Sequence, residues 1–221
     1  SDGDYEQDGM VNDLASVVEA LGDPHPVLVG ASMGGGVSLC AIGDGKVDAR
    51  ALVLVDMAPK IEAEGAQKIL AFMRQKPDGF DSLEEVAEAI ASYQPHRERP
   101  RQLDGLKKNV RLDENDRLRW HWDPAWISDR PFVEVDTRWE RLETAAKELN
   151  KSLLPTLLVR GGLSDVLSEA GAQEFLMTCP YAEYVNVTDA AHMVAGDRND
   201  IFTSAVAEFL ARLDQSGPVR R

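Results

Sequence analysis

An apolar run, Val27-Leu28-Val29, passes directly into Gly30-Ala31-Ser32-Met33-Gly34, with Gly35 and Gly36 behind it. The pattern predicts a strand, a sharp turn and a helix, with a serine at the apex. Such a turn holds its central residue in a left-handed backbone conformation, which lifts the hydroxyl clear of both flanking elements. Glycine is expected at Gly30 and Gly34 because a side chain there would meet the neighbouring strand or the incoming helix. Gly35 and Gly36 then let that helix lie close to the sheet. Glycine-rich strand-to-helix turns also cradle phosphates, and others are plain βα connections. The phosphate versions fit poorly: no Gly-Lys-Ser/Thr follows, and no Gly-x-Gly-x-x-Gly can be laid over residues 30 to 39.

A serine hydroxyl becomes a nucleophile only when a base takes its proton, and that base needs an orienting carboxylate. Of the four histidines, His25 precedes the elbow strand, while His96 and His121 lie in a polar middle region. His192 follows the short strand pattern Val185-Asn186-Val187, at a carboxyl end where catalytic groups of open parallel sheets gather. Two carboxylates compete as its partner. Asp165 follows the apolar run Leu153 to Arg160 through the turn Gly161-Gly162-Leu163-Ser164, and Asp56 stands directly after Ala51-Leu52-Val53-Leu54-Val55. Asp165 is the expected acid, since a glycine turn can aim it, whereas Asp56 reads as a turn cap before Pro59.

These segments resemble the α/β-hydrolase family of esterases, lactonases, haloperoxidase-like enzymes and carbon–carbon bond hydrolases. The resemblance rests on residues 27–35, Leu54 to Pro59, Val159 to Asp165 and Ala191 to Arg198, four motifs in order across nearly the whole chain. Ala191 departs from the glycine that commonly precedes the histidine. A serine at position 32, in place of aspartate, sets aside the epoxide hydrolase and haloalkane dehalogenase branches. The resemblance implies an α/β fold: a parallel sheet with flanking helices and an inserted helical cap lying over the serine. It also implies several further strands and a His-Gly-type loop upstream of the helix that opens this sequence, with one of two oxyanion donors on that loop. On this reading the usual N-terminal strands are missing from the chain.

Periodicity sets the organisation. Met10, Val11, Leu14, Val17, Val18 and Leu21 fall at helical spacing and stop at Gly22. Residues 1–59 form the first part of the core and carry the elbow, 60–150 form the cap, and 151–221 complete the core with the Asp and His. Within the cap, Ser82 and Glu85 make a capping-box signal, and Thr137 to Leu149 is helical. Trp120-His121-Trp122 and Trp126 are unusually aromatic for a polar region. They suit either a small cap core or a substrate wall, and Trp120 and Trp122 are the candidate substrate contacts. Met57 and Met193, with Met33, suggest a soft apolar pocket floor.

A formal charge of −14 over 221 residues disfavours nucleic acid and anionic membrane surfaces as partners. No apolar run approaches the ~20 residues that span a bilayer. Cys40 and Cys179 read as buried apolar residues in a reducing cytoplasm, and no Cys or His spacing suits a metal. The expected protein is a cofactor-free hydrolase of a small, mainly apolar ester or lactone, possible as a homo-oligomer. Its catalytic residues are Ser32, His192 and Asp165, with the Met33 N–H as an oxyanion donor. The alternatives are carbon–carbon bond cleavage with the same residues, or a non-catalytic ligand-binding relative or inactive fragment.

Overall fold

The computed structural model describes residues 5–99, 102–127 and 135–215. Its chain order is α1 (Gln7–Leu21), β1 (Val27–Ala31), α2 (Met33–Gly43), β2 (Ala51–Val55), α3 (Ala63–Arg74) and α4 (Leu83–Tyr93). There follow β3 (Val110–Leu112), β4 (Leu118–Trp120), α5 (Val135–Ser152), β5 (Thr156–Gly161), α6 (Glu169–Thr178), β6 (Glu183–Val187), α7 (Val194–Asp197) and α8 (Asn199–Gln215). Two compact units result: Glu64–Pro131 forms the smaller, while Asp4–Ala63 and Phe132–Arg221 together form the larger.

The larger unit is built on a parallel sheet in the order β1-β2-β5-β6. Its register aligns Val29 with Val53, Val53 with Leu157 and Val159 with Val185. Both central strands are wholly buried, which is why they read as continuous apolar runs. Alternate residues serve opposite faces. Leu52, Leu54 and Leu158 pack with Val11, Leu39, Leu142, Leu149 and Phe175 beneath α1, α2, α5 and α6. Val53, Val55, Leu157 and Val159 pack against Val194 and Phe209 on the other face. Each large apolar side chain so buried contributes ~1.5–3 kcal/mol before entropy is counted. Among the described strands β1 lies at one edge, and its Val29 is 51% exposed.

Helix boundaries follow local chemistry. α1 ends at Gly22, whose φ of 72° lets its N–H reach the Glu19 carbonyl at 3.0 Å. The Ser82 Oγ caps α4 by accepting from the Glu85 N–H at 3.3 Å, and a Glu85 carboxylate oxygen accepts in turn from the Asp81 N–H.

Two expectations about the inserted region need correction. The segment 60–150 is not one helical cap, because α5 belongs to the larger unit. Leu142, Ala145, Ala146 and Leu149 are buried in that unit's core. A methyl on Gly43 would stand 2.5 Å from the Ala145 Cβ, so α2 and α5 touch almost backbone to backbone. Arg141 on α5 also donates to Asp8 of α1 at 2.6 Å and to Asp44 beyond α2 at 2.5 Å. Nor is the smaller unit all helical, since β3 and β4 pair as an antiparallel hairpin. The Asp113 carboxylate sets its turn by accepting from the Asn115 and Arg117 N–H groups, and Asp116 takes a φ of 57°. Three-residue strands are too short to show period-two alternation in a sequence.

Cys40 and Cys179 are free and buried, as expected. Burial pushes the Cys40 thiol up to about 11 and raises Cys179 as well. A thiol reagent at neutral pH should therefore titrate neither cysteine in the native protein and both after denaturation. Rapid native labelling of either would contradict this packing.

Candidate active site

Ser32 stands where β1 turns into α2, with φ 49° and ψ −121°. The positive φ is as expected, while ψ lies outside the left-handed helical region, and a non-glycine residue holds such a conformation only when its surroundings enforce it. Two hydrogen-bond sets do so. The Ser32 N–H donates to the Val55 carbonyl at 2.9 Å, which ties the turn to the neighbouring strand. Its own carbonyl accepts from Gly35 and Gly36 at 2.9 and 3.2 Å. The glycine requirement falls partly elsewhere than expected. A Cβ on Gly30 would lie 2.5 Å from the Gly34 carbonyl oxygen, and one on Gly35 would lie 2.8 Å from the Gly30 carbonyl oxygen. A Cβ on Gly34 would meet nothing within 4 Å.

The carboxyl ends of the other strands deliver the remaining groups to the same edge of the sheet. His192 lies beyond β6, and its Nε2 is 3.0 Å from the Ser32 Oγ. Its Nδ1 is 2.7 Å from Oδ2 of Asp56, whose side chain is fully buried. The structure thus corrects the expected acid: Asp56 holds the imidazole, and Asp165 is an exposed residue of the loop after β5. The reason lies in strand order and backbone. β2 is adjacent to the serine strand, and Asp56 has a φ of 51°, so the chain turns sharply just where the strand ends.

Two further groups fix the carboxylate. The Gly161 N–H donates to Oδ1 at 2.8 Å and the Ser164 hydroxyl donates to Oδ2 at 2.5 Å. An ionised carboxylate only accepts, so Nδ1 must carry the imidazole proton and Nε2 must offer its lone pair to the serine. The loops after β5 and β6 run in close contact, with Gly162 and Leu163 donating to the Val187 and Ala190 carbonyls, each at 2.8 Å. A methyl on Gly161 would stand 2.2 Å from the Ala191 carbonyl oxygen, so only glycine admits the histidine loop there. Ser164 was not anticipated. The sole hint in the sequence is its place in a turn beside a candidate acid.

Met33 opens α2, where the first helical N–H groups lack partners one turn back. Among the described residues no backbone carbonyl accepts from its N–H. Its side chain is 49% exposed, and Met193, next to the histidine, is 48% exposed. Met57 is not on a pocket floor. It is buried in the core, where a methyl on Gly36 would stand 3.0 Å from its Cε, so it packs closely against α2.

The tryptophans also differ from expectation. Trp120 is 7% exposed and lies in the smaller unit's own core with Phe80, Val86 and Val110. Trp122, half-buried, stacks on it with ring centroids 4.6 Å apart. Phe72 and Phe80 complete the cluster at 5.3 and 4.9 Å from Trp120. Trp120 is therefore a core residue of that unit, not an open wall for substrate. Among the described residues no group of acidic, His or Cys side chains is arranged to hold a metal ion, and no helix is long and apolar enough to cross a membrane.

Comparison with known proteins agrees with this architecture. Residues 1–208 match the model of the alpha/beta hydrolase family, and the chain belongs to that family. It is 27% identical to the sn-1-specific diacylglycerol lipase ABHD11 of Mus musculus, over 94% of this chain and 66% of that protein. It is 24% identical to the 2-(acetamidomethylene)succinate hydrolase of Mesorhizobium japonicum, over 93% and 71% respectively. The chain thus spans about two thirds of the length of the curated relatives it matches. Among solved structures, E-2-(acetamidomethylene)succinate hydrolase superposes with a TM-score of 0.79 at 22% identity, covering 96% of this chain and 76% of that one. An esterase from Mycobacterium tuberculosis gives 0.68 at 22%, covering 93% and 67%.

Trp120→Ala should behave as a core truncation, costing ~3–5 kcal/mol of stability in the smaller unit. Denaturant unfolding followed by tryptophan fluorescence checks this. A cost below ~1 kcal/mol would return Trp120 to the list of substrate contacts.

Proposed function

We propose that the chain is a serine hydrolase that transfers an acyl group from a small, mainly apolar ester to water. One observation carries this reading: a single imidazole spans Ser32 and Asp56, at 3.0 Å on one nitrogen and 2.7 Å on the other. His192 takes the Ser32 proton at Nε2 as Oγ attacks the ester carbonyl, and Asp56 stabilises the imidazolium that forms. The imidazolium then protonates the departing alkoxide. In the second half-reaction His192 activates water against the acyl-serine, and Ser32 leaves with its proton restored. The Met33 N–H, at the positive end of α2, serves as an oxyanion donor.

The apolar preference rests on what surrounds the serine. Met33 and Met193 are neighbours in sequence of Ser32 and His192, and Leu163, on the adjoining loop, is 58% exposed. These side chains offer soft surface to an acyl or alcohol group. The relative named as a diacylglycerol lipase acts, as that name says, on an ester, which favours the same bond class here. The two free buried cysteines suit a reducing compartment, in keeping with a cytoplasmic protein.

Hydrolysis of p-nitrophenyl acetate and butyrate tests the reading. Ser32→Ala should reduce turnover to the background rate while leaving the fold intact. Asp56→Asn should cost on the order of 10⁴ in kcat by presenting the wrong imidazole tautomer. Asp165→Asn should stay within about threefold of the parent, since it does not hold the imidazole. Wild-type rates for Ser32→Ala would remove the serine from the chemistry. A larger loss for Asp165→Asn than for Asp56→Asn would reverse the assignment of the acid.

A further inference from the structure

The Ser164 hydroxyl sits in an arrangement that leaves its proton one destination. Its Oγ accepts from two backbone donors, the Val166 N–H at 3.1 Å and the Leu167 N–H at 3.2 Å. A hydroxyl has two acceptor lone pairs and one proton. With both lone pairs engaged, the proton points at Oδ2 of Asp56, the oxygen that also receives the imidazole N–H. The backbone of this loop is itself braced. Arg160, buried at the end of β5, donates from Nε to the Leu167 carbonyl at 2.8 Å, so the residue that orients Ser164 is held from behind.

We propose that Ser164 is a positioning residue, acting through Asp56, that fixes the carboxylate in the plane where it holds His192 toward Ser32. The proposal rests on the triad reading given above. A fully buried carboxylate with only Gly161 and His192 as partners has one donor on each oxygen, and Oδ2 is then held only by the imidazole that it must itself orient. The Ser164 bond restrains Oδ2 independently and supplies a third donor to a charge that has no access to water. Imidazole orientation matters for catalysis because a small misplacement of the base is costly in rate. Ser164 does not touch the substrate or the reacting atoms.

Three substitutions test this on the full chain. Ser164→Thr keeps a hydroxyl on the same carbon and should retain kcat. Ser164→Cys keeps the side chain's branching but places a larger sulfur with only a weak S–H donor, and Ser164→Ala offers none. Both should lower kcat about tenfold with KM within about twofold, as expected when an interaction acting in the transition state is lost. Reaction of Ser32 with a fluorophosphonate, which needs the activated serine but no substrate site, should slow by the same factor. If Ser164→Ala does not fold, the Cys and Thr pair decides alone. Wild-type kcat and labelling in the Cys variant would overturn the proposal. So would a Cys loss that Thr fails to restore, or one seen only in melting temperature. Ser32→Ala, measured beside them, separates the outcomes. If it retains activity the triad reading itself fails, whereas an inactive Ser32→Ala with a fully active Ser164→Cys defeats this inference alone.

Discussion

A carboxylate with no exposure to solvent stands at the carboxyl end of β2, and much of the local structure is what its burial demands. Leaving a charge out of water is expensive unless every lone pair that matters finds a donor. Asp56 finds three, from the last backbone amide of β5, a hydroxyl on the following loop and an imidazole from beyond β6. Two arrive together from the end of β5 and its loop and the third from beyond β6, so satisfying the charge brings the ends of β2, β5 and β6 together. The serine joins them because β1 runs beside β2 and its turn is tied to the last carbonyl of that strand. A buried charge that costs stability in isolation thus becomes the fastener of the site.

The close approach needed for this is steric as well as electrostatic. Gly161 passes so near the Ala191 carbonyl that no side chain fits, and Gly30 is in the same position against the start of α2. Ser32 and Asp56, the two residues that most need exact aim, both have positive φ without being glycine. Such backbones cost of order 1–3 kcal/mol each and persist where the surroundings over-determine them. Here the surroundings are two fully buried apolar strands, whose packing on both faces supplies the stability that the site draws on.

The smaller unit is organised by a different force. Four aromatic rings, Phe72, Phe80, Trp120 and Trp122, are linked through ring contacts of 4.6–6.1 Å around a short hairpin. A region of this size, rich in charge, has few apolar residues with which to form a core, and large rings bury the most area per residue. The aromatic density that suggests a binding wall is explained by that need.

Much of the larger unit was legible in the chain itself. The buried strands, the glycine-stopped first helix, the serine turn and the order of serine and histidine all rest on local patterns: apolar runs, period 3.6 and turn chemistry, which short windows of sequence carry. The serine's positive φ and the placement of His192 past a strand end came from the same source. The acid did not: Asp56 and Asp165 each follow an apolar strand, and the glycine turn that favours Asp165 does not say which of the two loops faces the imidazole. What separates them is that β2 lies between β1 and β5, a fact of strand order, together with the turn at Asp56 and the two donors that reach it from 105 and 108 residues away. The same holds for Ser164, α5 and Trp120. Whether a side chain meets a carboxylate, a sheet or a neighbouring ring depends on contacts between segments far apart in the chain, and only the tertiary structure decides those.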